Sequence, residues 1–445
     1  MSEIKVNKLT PRTACGTTTL GDSGDTFTIP AGVTITNSGT AAGFGATGAV
    51  SWDTTAKTTG FTAVDGVGYF VNTTAGAISV TLPLSPAAGA VIGVSDYAGT
   101  ADTNNITLLR NGSNIGGVAA DSVLVVNGAA VTLVYVDATK GWIVTDSGLQ
   151  SDASELVLYV TATGGTPTTS GDYKIHTFTG PGAFCVSCAG NPLGSNSVDY
   201  LVVAGGGGGG QGAPPAFSAG GAGAGGFREG YNPGSYTASP LATSALPVSA
   251  TGYPITVGGG GGGSTSTGSA GTSGSNSVFS TITSTGGGGG GSPAAPGLAG
   301  GSGGGAGQGG CGGAGNTPPV SPSQGNAGAN YTSPSYAGAG GGGATQAGFT
   351  NSFPAGGAGG NGATTLISES PTAYAGGGGA GGSNYSVTTA PGAGGTGGGG
   401  AGGTASVVGV AGTANTGGGA GGGGRSAAGG AGGSGIVIIR YKFQN

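Results

Sequence analysis

Few side chains in this chain have the type and spacing to do chemistry. His176 is the only histidine. It alternates with Lys174 and Phe178, which sets all three on one strand face, and no serine–carboxylate pair is placed to complete a nucleophilic triad with it. Its expected role is structural. Glycoside hydrolysis needs two carboxylates about the scissile bond. Beyond residue 200 the chain offers only Glu229 and Glu369, and the earlier acidic residues fall mostly at turns. Cys185 and Cys188 form a lone C-x-x-C, with no second pair or neighbouring histidine to make a zinc or redox site. Positions three apart on a strand also face opposite ways. Residues 419–426 mimic a phosphate-binding loop, but Arg425 stands where the motif needs lysine and no strand precedes it. The expectation is therefore no enzyme, no cofactor and no metal.

What remains is binding chemistry. Aromatic residues stand in polar, proline-containing segments between glycine runs: Phe217, Phe227, Tyr231, Tyr236, Tyr331, Tyr336, Phe349, Phe353, Tyr374 and Tyr385. Such rings supply contact area at low entropic cost, as recognition of sugars or protein loops requires. The competing reading is that each ring caps the end of a glycine bundle. Turns that only reverse the chain could be far shorter, so the set as a whole is expected to recognise a receptor.

The elements that would position these rings are glycine runs. Most of the 112 glycines lie after residue 200, in consecutive runs such as 205–210, 258–263, 286–291 and 376–379. Collagen needs glycine at every third position, so it is excluded. A disordered linker would not be framed by two apolar strands, 199–204 and 435–441. It would also carry more charge, whereas only Arg228, Glu229, Glu369, Arg425, Arg440 and Lys442 are charged after residue 200. The expected structure is a bundle of extended threefold helices, each rising about 3.1 Å per residue without internal hydrogen bonds. Their N–H and C=O groups must then pair with neighbouring helices. That close approach demands glycine, with alanine tolerated on outer faces.

The rest of the chain reads as β-structure. Residues 1–60 form a thin stem, with strands expected at 26–30 and 33–36, too slight to bury a core alone and so suited to oligomerisation about an axis. Residues 61–150 carry short strands at regular spacing, a sandwich-like domain. Residues 151–204 form a β-base, with a strand at 156–160 and a hairpin of 173–179 with 183–187 about the turn 180–182. Residues 205–445 are the tip, closed by a strand at 435–443 that returns beside the base. The fold class is thus all-β: a β stem and a β-sandwich-like domain, then a β-base carrying polyglycine type II helices.

Net charge is −5 over 445 residues, which argues against nucleic acid or an anionic membrane as partner. No 18-residue apolar run is present, so no membrane insertion is expected. The start, Met1-Ser2-Glu3-Ile4-Lys5, lacks the apolar region of a signal peptide. The chain is expected to begin in a cytoplasm.

Several stretches carry a family resemblance. Residues 1–9 and 21–27 resemble the start of tail-fibre-type proteins of marine bacteriophages, and residues 69–73 and 134–142 are similar to the β-domain that follows in them. The turn 178–184, residues 200–205 and the ending 432–441 resemble a glycine-rich domain of phage and bacterial proteins. The repeated runs resemble the polyglycine sandwich of receptor-binding adhesins on T-even-type phage fibres. The resemblance implies a virion protein assembled in the host cytoplasm as a homotrimer. It would attach to other tail or virion proteins through its N-terminal segment and bind a host-surface glycan or outer-membrane protein through its loops. No individual binding residue carries over. A non-recognising virion spacer is the alternative, and a cell-surface adhesin a third.

Overall fold

A computed structural model describes residues 50–146, 154–333, 336–352, 354–383 and 390–445. The 26–30 and 33–36 strands, Cys15, Phe353 and Tyr385 lie outside the described residues. The chain divides into two units between Ser154 and Glu155, and among the described residues it is all-β, without α-helix.

In the first unit, alternating apolar residues put one face of each strand inward. Two sheets enclose one core containing Val71, Ile92, Leu133 and Trp142 on one side and Val80, Ile106, Leu108 and Leu124 on the other. The expected two-sheet layering is present, but much of the pairing is parallel. Ser51–Lys57, Val67–Val71 and Val91–Asp96 lie side by side in parallel, as do Phe61–Thr62, Ile78–Thr81 and Ile106–Leu109. The chain coils between the sheets strand by strand, and antiparallel hairpins close it. Ser51–Lys57, assigned by sequence to the stem, belongs to this domain's sheet.

The second unit rests on two sheets. One orders Val160–Thr163, Gly182–Ala189, Gly252–Thr256, Ser277–Phe279 and Ile282–Ser284; the other orders Thr166–Ser170, Tyr173–Phe178, Ile436–Lys442, Ser197–Val203, Phe227–Tyr231 and Ala242–Ser244. Ile436–Lys442 returns between Tyr173–Phe178 and Ser197–Val203, antiparallel to both. Unbroken apolar strands fit burial on both faces. Tyr200, Val202, Val437 and Ile439 join the core between the sheets, while Leu201, Val203, Ile436 and Ile438 join a second core with Phe227, Ile367 and Tyr374.

Three expectations are corrected. The 173–179 and 183–187 strands are not a hairpin: they enter different sheets, because Phe178 and Phe184 face the same core from opposite sides. Residues 156–159 are not a strand. The Asn191 side chain takes the Leu158 N–H (3.2 Å) and donates to the Leu156 carbonyl (2.7 Å), so a ladder begins only at Val160. Base strands also come from inside the glycine region, at 227–231, 252–256 and 277–284, so the base is wider than residues 151–204.

The glycine runs form the expected bundle, and the bonds of one run display its threefold screw. Gly205 and Gly208 donate to Ser275 and Thr272; Gly206 and Gly209 donate to Gly433 and Gly430; Gly207 and Gly210 donate to Gly223 and Gly220. Each pair, three residues apart, meets one neighbour running the opposite way. The carbonyls accept from three further runs pointing the same way, such as Gly261 and Ser264 onto Gly206 and Gly209. The run at 205–210 is thus enclosed by six helices with its backbone groups satisfied inside the bundle.

Alanine corrects another expectation. It is not confined to outer faces: Ala219, Ala222, Ala306, Ala339, Ala380 and Ala420 are fully buried. Ala306, Ala329 and Ala339, from three adjoining runs, cluster together.

Candidate functional site

Successive runs alternate in direction, and that alternation sorts the aromatic residues. Residues 204–212 leave the base strand Ser197–Val203. Residues 218–226 come back alongside and enter Phe227–Tyr231, which pairs antiparallel with it. Later runs repeat the excursion. Every second turn therefore lies at the end away from the base. Among the described residues these outer turns centre on 213–217, 265–269, 292–295, 308–310, 331–333 with 336, 352 with 354–355, 404–407 and 425–427.

The outer turns are tied to one another. Ala213 and Phe217 exchange backbone hydrogen bonds at 2.8 and 2.9 Å, and the Ser218 N–H donates to the Tyr336 carbonyl at 3.2 Å. The Ser383 hydroxyl donates to the Ala216 carbonyl at 2.7 Å. Asn351 accepts from the Thr332 N–H (2.8 Å) and donates to its carbonyl (2.6 Å). Gly212 donates to Ala427 across to another turn. These bonds brace the turns near 213–217, 331–333, 351–352 and 425–427 on the bundle, so their loops are held by a rigid scaffold. The tip's one charged residue is Arg425.

Phe217, Tyr331 and Tyr336 stand on this tip, all half-buried. Tyr331 packs on the Ala306–Ala329–Ala339 cluster. Phe349 is 46 % exposed, on the flank: its N–H donates to Ala358 and its carbonyl accepts from Gly340. The other described candidates belong to the base. Phe227 and Tyr374 are core residues at 1 % and 4 % exposure, closed to a receptor. Sequence spacing missed this because both sit where a run meets a strand. Tyr231 and Tyr236 meet edge to face at 5.9 Å. Asn351 and Ser383, whose side chains brace the tip, were not picked out from sequence. For Ser383 the available signal was a hydroxyl directly after the glycines 381–382.

The base gathers the ionisable groups. Glu229, buried, accepts from the Tyr236 hydroxyl and the Ser239 N–H, each at 2.9 Å, and from Thr365 Oγ1. Burial first, then the Glu229 charge, raises the Tyr236 pKa. Arg440 lies over the Tyr173 ring at 4.2 Å, pairs with Glu369 and donates to the Ser235 carbonyl. Asp199, its cross-strand neighbour, is pushed up to about 6 by burial, against hydrogen bonds from Asn232. These contacts lock base loops to the closing strand.

The remaining chemistry-bearing residues resolve simply. His176 is buried, its Nδ1 2.7 Å from the Gly164 carbonyl and its ring stacked on Tyr441; burial lowers its pKa. Cys185, Cys188 and Cys311 are free thiols. Residues 417–424 are a buried bundle helix. Among the described residues no cluster of three or more His, Cys, Asp or Glu could hold a metal, and no helix is long and apolar enough to cross a membrane.

A family model described as a glycine-rich domain matches residues 177–442. The match opens within the base strand Tyr173–Phe178 and ends at the last residue of Ile436–Lys442, so it takes in nearly all of the second unit. No curated protein matches the chain.

Proposed function

Because the chain belongs to the glycine-rich domain family, with more than half its length in the match, we propose that the second unit is the receptor-binding tip of a bacteriophage tail fibre. One observation carries this reading: alternation of the runs collects the outer turns at the end away from the base, where several are braced to one another. A scaffold of backbone hydrogen bonds leaves the turns free to vary while it holds them. Arg425 is the tip's single charge, which suits a neutral or anionic surface, a host glycan or outer-membrane protein loop, met mainly by aromatic and hydroxyl groups. Attachment to the particle falls to the N-terminal segment, and the assembled fibre is a homotrimer in this reading.

The half-burial of Phe217, Tyr331 and Tyr336 favours a second reading, in which these rings cap a spacer that recognises nothing. The test is competition. Purified protein is added to host cells before phage, alongside a variant with residues 331–336 replaced by Gly-Ser. Adsorption blocked by the parent protein and released by the variant supports recognition. No blocking at any concentration leaves the spacer.

A further inference from the structure

The tip carries one charge that nothing in its surroundings offsets. Beyond residue 200 the only carboxylate side chains are those of Glu229 and Glu369. Both are engaged in the base, Glu229 by Tyr236, Ser239 and Thr365, and Glu369 by Arg440. Arg425 stands at the other end. Its run passes Val203 of the base at Gly417. From there it rises eight residues to the outer turn, about 25 Å at roughly 3.1 Å per residue. That is about three Debye lengths at physiological salt, so neither base carboxylate compensates the guanidinium. Arg425 is half-buried, yet among the described residues its side chain makes no hydrogen bond or ion pair. A charge partly withdrawn from water without an acceptor is a cost, and this one leaves every donor of its fork unspent.

The groups around it are donors. The Ala427 N–H closes this turn onto the Gly424 carbonyl at 3.0 Å, and the Val407 N–H closes the neighbouring turn onto the Thr404 carbonyl at 2.7 Å. The Gly424 N–H donates to the Val407 carbonyl at 3.3 Å and ties the two turns side by side. Ala405, Ser406, Arg425 and Ser426 form their crests, and among the described residues none of these N–H groups is bonded. The Ser406 and Ser426 hydroxyls are exposed there. Val407, Val408 and Val410, each more than half exposed, continue the surface. Resting on the tip reading above, we propose that this paired crest binds the oxyanion of an acidic saccharide, a carboxylate or phosphate on a host-surface polysaccharide. Arg425 is the residue that selects the acid. A guanidinium grips either group through two parallel N–H bonds. The hydroxyls and crest N–H groups meet the remaining oxygens, and the valines meet C–H groups of the sugar ring, which a bare ion lacks.

Full-length protein is titrated by calorimetry with oligogalacturonate and phosphomannan, with galactan and mannan as their neutral counterparts, and with inorganic phosphate. At least one acidic polymer should bind saturably, at least tenfold tighter than its neutral counterpart and than phosphate alone. The acid that binds tells a carboxylate source from a phosphate source. Arg425→Gln should lose at least tenfold, and Arg425→Lys less, since it keeps the charge without the fork. Added salt should weaken binding by the parent and hardly alter what Arg425→Gln retains. Unchanged melting shows that each variant is folded. A flat response to both acidic polymers overturns the proposal, as does equal binding by folded Arg425→Gln. Competition against phage separates this site from the tip reading. If Arg425→Gln blocks adsorption as well as the parent does, the acidic ligand is overturned and the tip reading stands; if the parent never blocks, both fall. Adsorption that protease treatment of the cells abolishes and periodate oxidation spares identifies a protein loop, and overturns the saccharide.

Discussion

If residues 205–210 are enclosed by six helices, one methyl group should do great damage there and none at the bundle's edge. Gly208→Ala would set its Cβ 2.0 Å from the Gly262 carbonyl oxygen and 2.3 Å from the carbonyl carbon, whereas a Cβ on Gly259 meets nothing within 4 Å. Both alanines remove the same backbone freedom from the unfolded chain, stabilising by roughly 0.4–1 kcal/mol where unstrained. To admit the Gly208 methyl, the 205–210 and 258–263 runs must part by about 1 Å or more to reach ordinary contact. That breaks the bonds from Gly261 to Gly206 and from Ser264 to Gly209, each 2.9 Å. Each of these two buried bonds lost costs about 1–3 kcal/mol. Gly208→Ala should therefore cost about 2–6 kcal/mol, and Gly259→Ala should be neutral or slightly stabilising. At about 2 °C per kcal/mol for a unit of this size, calorimetric melting should place the two variants about 4–12 °C apart. Hydrogen exchange in residues 205–210 should accelerate only in Gly208→Ala. Equal melting temperatures for the two variants would refute six-fold packing of this run.

Further outcomes follow from the base and the tip. Ser277→Ala removes a buried hydroxyl that donates to the Val203 carbonyl (2.8 Å) and accepts from the Gly258 N–H (2.9 Å); melting should show a loss of about 2–6 kcal/mol from the two stranded groups. Asp199 is raised from 3.8 to about 6, so the folded state holds more protons than the unfolded state between those values. Stability from this group is greatest at low pH and falls as pH rises from about 4 to about 6, by roughly 3 kcal/mol for two pKa units. Asp199→Asn should flatten that part of the pH dependence of melting, and an unchanged slope would count against the assignment. Tyr331→Ala with Tyr336→Ala should cut cell binding at least tenfold under the recognition reading, and Tyr231→Ala at the base should leave it unaltered; cell pull-down with labelled protein reads both.

Much of the architecture was legible in residue order. Unbroken apolar stretches at 200–203 and 436–439 announced strands buried on both faces, because no polar side chain there could face water. Consecutive glycines with little charge announced a packed threefold bundle, since only residues without Cβ let backbones touch on every side. The partners of those runs were not legible. A glycine run has no side-chain pattern, so nothing in it states that Gly206 donates to Gly433, more than 200 residues away, or which way each run points. Only the assembled lattice decided that. With it came the division of the aromatic residues: Phe217, Tyr331 and Tyr336 at the tip, Phe227 and Tyr374 in the core. The tertiary structure also split 173–178 from 182–189 into facing sheets, because a shared core outweighed a local turn. Local composition specified the helices and strands; long-range backbone hydrogen bonding, which composition does not encode, specified where each one lies.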